Sequence, residues 1–203
     1  MHRLFSYRTV HSEKNGKIEI KNWLFRKYVM VDGYEESGLY LEKMWRNAVF
    51  RVRTEACVQR VLLLGLGGGS ALNPIHMQFP DAKITVIDWD PAMVEISRKL
   101  KLFDDHIRPE ILVGDAVQVL KELDKRYDLI LIDLFKGSKP ESRRSTPEMI
   151  ASIAGATTPT GSIILNAFKN KERIEIFAQR LEQVSSWRCR HNHLARFVTG
   201  HQP

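Results

Sequence analysis

Cysteine is scarce in this sequence: Cys57 and Cys189 are the two among 203 residues. Neither sits in a CxxC pair or a Cys/His cluster, so a disulfide scaffold and a zinc module are excluded. A core of this size folds without such staples. Long apolar runs are also missing, and none approaches the roughly 18–20 residues of a membrane span. The opening MHRLFSYRTV lacks the apolar stretch and small-residue cleavage site of a signal peptide. The expectation is a cytoplasmic protein with no membrane partner. Internal repeats, low-complexity tracts and a GK[ST] phosphate-binding loop are absent as well.

What is present is ordinary for a soluble globular chain: 43% hydrophobic and 27% charged residues. The length suits one domain with a modest appendage. The net charge of +7 is unevenly placed. Residues 1–60 hold 12 basic and 7 acidic side chains, residues 61–166 hold 12 and 14, and residues 167–203 hold 7 and 3. The carboxylates therefore gather in the middle. Basic ends attract anions, nucleic acid included. No basic stripe is interleaved with aromatics, so a solvated surface is the favoured reading.

From Arg60 onward, short apolar runs alternate with helical periods. Strands are expected at 60–65, 82–88, 110–113, 128–133 and 162–166, with two more near 187–193 and 196–199. Helices are expected at 69–78, 91–101, after Asp115, from Thr146-Pro147-Glu148, and over 170–185. Asp90 and Asp115 are placed as N-caps, with Pro91 in the first turn behind Asp90. Ala116, Val119, Leu120 and Leu123 keep the i, i+3, i+4 spacing of a buried helix face. Strands separated by helices predict an α/β fold, a doubly wound, mostly parallel sheet, and continuous apolar strands fit one buried on both faces. Residues 1–40 differ. Asn15-Gly16 between two alternating runs signals a two-residue hairpin, and Trp23–Val31 supplies a further strand. This predicts a small β appendage at 1–40 before a Rossmann-like domain at 41–203.

Ligands of open parallel sheets bind beyond the carboxyl ends of the strands. Here those ends read Gly65, Asp88, Gly114-Asp115 and Asp133. Gly65, Gly67 and Gly69 form a side-chain-free bend that lets the backbone approach a ligand. Asp88, on the next strand, is placed to accept both hydroxyls of a ribose. Trp89 either packs on an adenine ring or plugs the sheet edge. Asp115 either caps its helix or accepts from the adenine amine. Ser70 stands where a dinucleotide fingerprint wants a third glycine or alanine. Together these point away from pyrophosphate and toward a sulfonium nucleoside. His191 and His193 would share a strand face without a third ligand, so no metal is expected.

The segments VLLLGLGGGSAL, ITVIDWDPAMVEISRKL, ILVGDA and YDLILIDLF resemble the class I S-adenosylmethionine-dependent methyltransferase fold. Within it they are most similar to the spermidine synthase (polyamine aminopropyltransferase) family. Val31-Asp32-Gly33 fits that family's amino-terminal hairpins, and Asp133, Phe135, Gly137, Pro140 and Thr146 match its divergent, spermidine synthase-like branch. The resemblance implies Gly65 and Gly67 against the nucleoside, Asp88 on the ribose, Asp115 near adenine, and Asp133 as the catalytic carboxylate. It implies S-adenosylmethionine or its decarboxylated form as co-substrate and transfer of a methyl or aminopropyl group. The partner is then a small-molecule acceptor such as an amine. Nucleic acid is the weaker alternative, and a homodimer is left open.

Two departures bear on the acceptor. Lys136 stands where the family's D-x-x-D-P motif has its second acid, and the Gln of D-G-x-x-Q and the His of Y-H-E are missing from Asp32–Glu36 and Tyr40–Glu42. Residues 136–144 also carry Lys136, Lys139, Arg143 and Arg144 against Glu141. Each close like-charge pair costs a dication about 1 kcal/mol even with water-like screening. The alternatives are a non-catalytic nucleoside-binding module, favoured by Lys136, and, more remotely, an NAD-dependent oxidoreductase.

Overall fold

A computed structural model describes residues 5–24, 26–52, 57–135 and 145–200. Lys136, Gly137, Pro140 and the remainder of the basic 136–144 segment lie outside the described residues. The chain opens with four antiparallel strands in sequential order: β1 (Phe5–Ser12), β2 (Gly16–Trp23), β3 (Arg26–Val31) and β4 (Tyr34–Ser37). The appendage is thus a four-stranded sheet, which adds β4 to the hairpin and further strand expected. Its first turn is also longer than the Asn-Gly pair suggests. Ser12 pairs with Gly16 across three residues, and Gly16 alone takes a left-handed φ of 66° there, the geometry of a three-residue hairpin loop. The run from Trp23 to Val31 is split by a turn at Leu24. The two-residue turn is instead Asp32-Gly33, where both φ angles are positive, 50° and 79°.

Helix α1 (Leu39–Phe50) leads to the larger sheet, built from β5 (Arg60–Leu64), β6 (Lys83–Asp88), β7 (Glu110–Val113), β8 (Tyr127–Ile132), β9 (Thr157–Phe168), β10 (Glu182–Cys189) and β11 (Asn192–Val198). The intervening helices are α2 (Leu72–Gln78), α3 (Pro91–Lys99), α4 (Ala116–Glu122), α5 (Pro147–Ala156) and α6 (Glu172–Ala178). Spatial order is β10-β11-β9-β8-β5-β6-β7. The pairs among β5 to β9 are parallel, and β11 runs antiparallel to both β9 and β10. The chain winds outward from β5 through β6 to β7, then returns to β8 on the other side of β5.

Strand alternation distributes the core between two faces. Val61, Leu63, Val86, Leu129, Leu131 and Ile164 pack with α1 and α2. Their neighbours Leu62, Leu64, Ile87, Ile130, Ile132 and Leu165 pack with α4, α5 and α6. Every strand of the centre is therefore buried on both sides, which explains its unbroken apolar reading. The small sheet closes a third cluster, in which Ile18, Ile20, Val29 and Val31 meet Met93 and Ile96 of α3.

One expected helix is shorter. The stretch 170–185 holds α6 only over Glu172–Ala178, and residues from Glu182 onward belong to β10. This edge strand is mostly exposed and polar, so it carries no burial pattern. Register pairing with β11, rather than propensity, makes it a strand. His191 consequently falls in a turn and His193 in β11, so the two histidines do not share a strand face. Among the described residues no His, Cys, Asp or Glu group is arranged to hold a metal. No helix there is long and apolar enough to cross a membrane.

Candidate active site

The carboxyl ends of β5 and β8, where the winding changes direction, are pressed together. Asp133 N donates to Leu64 O at 2.8 Å. Gly65 has φ +90°, and a Cβ there would stand 2.3 Å from the Asp133 carbonyl oxygen. Only glycine satisfies both conditions. The bend that follows is gripped by β4: Gly68 N donates to Glu36 O at 2.9 Å, and a Cβ on Gly68 would lie 2.0 Å from that of Ser37.

A first hollow opens over these strand ends, lined among others by Gly65, Gly67, Asp88, Trp89, Asp115 and Asp133. Gly69 does not line it; its open side faces Phe103. Asp88 is buried, and both oxygens already accept from the backbone: Oδ2 from Leu66 N at 2.7 Å and Oδ1 from Asp90 N at 2.9 Å. Burial raises its pKa, and those N–H donors oppose the rise. Asp115 is exposed and caps α4, with Oδ1 accepting from Val117 N at 2.9 Å. Trp89 lies on the wall, with Lys14 Nζ 5.8 Å from its ring centroid.

Asp133 sits deeper. Its Oδ2 accepts from Trp45 Nε1 at 3.2 Å and its Oδ1 from Asn166 Nδ2 at 2.9 Å. A chain of donors stands behind that amide. Asn192 Nδ2 donates to Asn166 Oδ1 at 3.0 Å, and the Tyr40 hydroxyl has its one hydrogen between Cys189 O at 2.5 Å and Asn192 Oδ1 at 2.7 Å. Burial lifts the Asp133 pKa to about 6, against those donors and the buried guanidinium of Arg173.

A second hollow, about 420 Å³, adjoins the first and is lined by Tyr34, Glu35, Tyr40, Phe168, Lys169 and Arg190, among others. Glu36, Asp133 and Phe135 belong to the walls of both. Burial, reinforced by the negative charge of Asp133 and Asp88, pushes the Glu36 pKa up to about 8. Glu36, Trp45, Asn166 and Arg173 were not singled out by the sequence as members of this site. Asn166 had a readable signal, a polar residue near the end of a buried strand at the same sheet edge. Glu36 had a fainter one, since it stands where the D-G-x-x-Q motif has its glutamine, but its place in the site depends on β4 packing against the glycine bend.

Comparisons with known proteins agree with this fold. The family described as a methyltransferase domain matches residues 61–161. A polyamine aminopropyltransferase of Neisseria meningitidis is 28% identical over 132 residues, 64% of this chain and 50% of that protein. The fold of a probable spermidine synthase from Corynebacterium glutamicum superposes with a TM-score of 0.77 at 18% identity, over 95% of this chain and 80% of that one. The chain has the class I methyltransferase fold and is similar in sequence to polyamine aminopropyltransferases. Human methyltransferase-like protein 13 in complex with SAH shares the fold more distantly, with a TM-score of 0.66 at 19% identity, over 81% and 84% of the two chains. The chain spans about half, or less, of the length of the curated relatives it matches first.

Proposed function

We propose that this protein is a transferase that moves an alkyl group, methyl or aminopropyl, from S-adenosylmethionine or its decarboxylated form to an acceptor amine. The observation that carries this reading is the shared wall: Glu36, Asp133 and Phe135 border both hollows. The nucleoside occupies the first hollow. Asp88 binds the ribose hydroxyls through lone pairs that its backbone donors leave over, since each carboxylate oxygen can accept more than once. Trp89 and Asp115 flank the adenine. The sulfonium lies toward Asp133, whose negative charge complements it.

The acceptor nitrogen enters from the second hollow. Its lone pair forms the new N–C bond as the C–S bond breaks, and the sulfur leaves as a neutral thioether. The extra proton on nitrogen passes to a carboxylate at the shared wall, where Asp133 is in reach as base. Alignment of the two partners supplies most of the acceleration in such a displacement. The protein as a whole is read as a cytoplasmic enzyme.

The test is a thermal-shift and calorimetry panel with S-adenosylmethionine, its decarboxylated form, methylthioadenosine and NADH. Stabilisation by a sulfonium nucleoside or its thioether, and none by NADH, is the expected result. Stabilisation by NADH alone would replace this reading with an oxidoreductase.

A further inference from the structure

Charges of both signs line the second hollow. Glu36 and Asp133 stand where the two hollows meet, whereas Lys169, Arg190, His191 and one further acid, Glu35, line the second one only. Lys169 Nζ lies 5.6 Å from the Tyr34 ring centroid and 5.4 Å from that of Phe168; Arg190 Cζ lies 4.9 Å from that of Tyr40. Contacts of this kind hold a long cationic side chain against the wall. Among the described residues neither cation forms an ion pair.

The backbone supplies an independent sign of a built site. Phe168 has a φ of 49°, a left-handed conformation that costs an ordinary residue about 1–2 kcal/mol, whereas the same angle at Arg190 belongs to the two-residue turn between β10 and β11. At Phe168 the cost is met locally, because its N–H donates to Asn166 Oδ1 at 3.0 Å. The result is a ring edge-on to Tyr34 and Phe135, at 5.9 and 5.7 Å between centroids. Strained backbone of this sort gathers where a ligand is positioned.

Resting on the transferase reading above, we infer that the second hollow takes an acceptor with an amine at one end and a carboxylate at the other. The amine faces Glu36 and Asp133, and the carboxylate faces Lys169 and Arg190. A diamine would set its second ammonium beside two cations, at about 1 kcal/mol for each close pair even in water-like surroundings. The acidic wall also offers less charge than its three carboxyls suggest. Burial pushes the Glu36 pKa up to about 8, so Glu36 adds little negative charge at neutral pH; burial also raises that of Glu35, against the positive charge of Arg190. One ammonium is matched and a second is not.

The test is calorimetry at low ionic strength on the protein saturated with methylthioadenosine. β-Alanine, 4-aminobutanoate and 5-aminopentanoate are titrated against the diamines of matching chain length. The best amino acid is expected to bind at least roughly tenfold more tightly than the best diamine. Lys169→Glu, at an exposed position, is expected to shift the preference toward the diamines while methylthioadenosine still binds. Equal or tighter binding of diamines, or binding of neither series, overturns the inference and leaves the transferase reading standing. Failure of methylthioadenosine itself to bind overturns both.

Discussion

Trp45 and Asp133, 88 residues apart in sequence, are joined by a hydrogen bond of 3.2 Å from the indole Nε1 to Oδ2. The contact ties α1, the first element after the small sheet, to the carboxylate at the meeting point of the two hollows. Trp45→Phe keeps most of the buried ring and removes the donor. The Asp133 pKa is expected to rise above about 6, because an ionised carboxylate loses one of its two side-chain donors. A pH–rate profile of alkyl transfer checks this: its acid limb should move to higher pH. An unmoved limb would show that the indole acts only as packing.

Asp133→Asn is expected to reduce transfer roughly a hundred- to ten-thousandfold while methylthioadenosine affinity changes little. The amide keeps the shape but neither attracts a sulfonium nor takes a proton. Retained turnover would assign the carboxylate a structural role.

Asp88→Ala is expected to weaken methylthioadenosine binding by tenfold or more, read by calorimetry. It also strips a partner from Leu66 N and Asp90 N. Stability should therefore fall by about 1–3 kcal/mol, visible in thermal unfolding without ligand.

Glu36 gives a pH dependence of defined sign. Its pKa is about 8 in the folded protein against an ordinary 4.5, so the folded state holds this proton more tightly than the unfolded chain. Its contribution to stability is full below pH 4.5 and is lost as pH rises through about 8. Glu36→Gln removes the ionisable group. The melting temperature of the variant relative to wild type should rise between pH 5 and pH 9. A constant difference would show that Glu36 is not buried among like charges.

Gly65→Ala places a methyl 2.3 Å from the Asp133 carbonyl oxygen at a φ of +90°. Backbone lies on both sides, so neither strand can yield cheaply. A loss of about 3 kcal/mol or more is expected, roughly 6–12 °C in melting temperature for a chain of this size. A variant as stable as wild type would mean that the strand ends are not in contact.

The parallel part of the fold was legible because its strands are buried on both faces. β5, β6, β7 and β8 fall within a residue of their expected limits, and the caps Asp90, Asp115 and Thr146 each accept the N–H their position demands. Legibility ended where structure depends on partners distant in sequence. β9 continues to both sides of the expected 162–166, and β10 shows almost no apolar face at all. The same division runs through the candidate site. Glycines and acids at strand ends are visible in one dimension, whereas the role of Glu36 exists only once β4 lies across Gly67 and Gly68.

One carboxylate ties the rim of the first hollow to the start of a helix. Asp90 Oδ1 caps α3 by accepting from Ala92 N at 2.9 Å, while its Oδ2 accepts from Ser12 Oγ and Asn15 Nδ2, each at 2.6 Å. Asn15 and Met93 both border the first hollow. The hairpin tip and the first turn of α3 therefore share one anchor at the rim of the hollow, so amide exchange at the start of α3 should slow when a molecule fills the hollow and steadies Asn15.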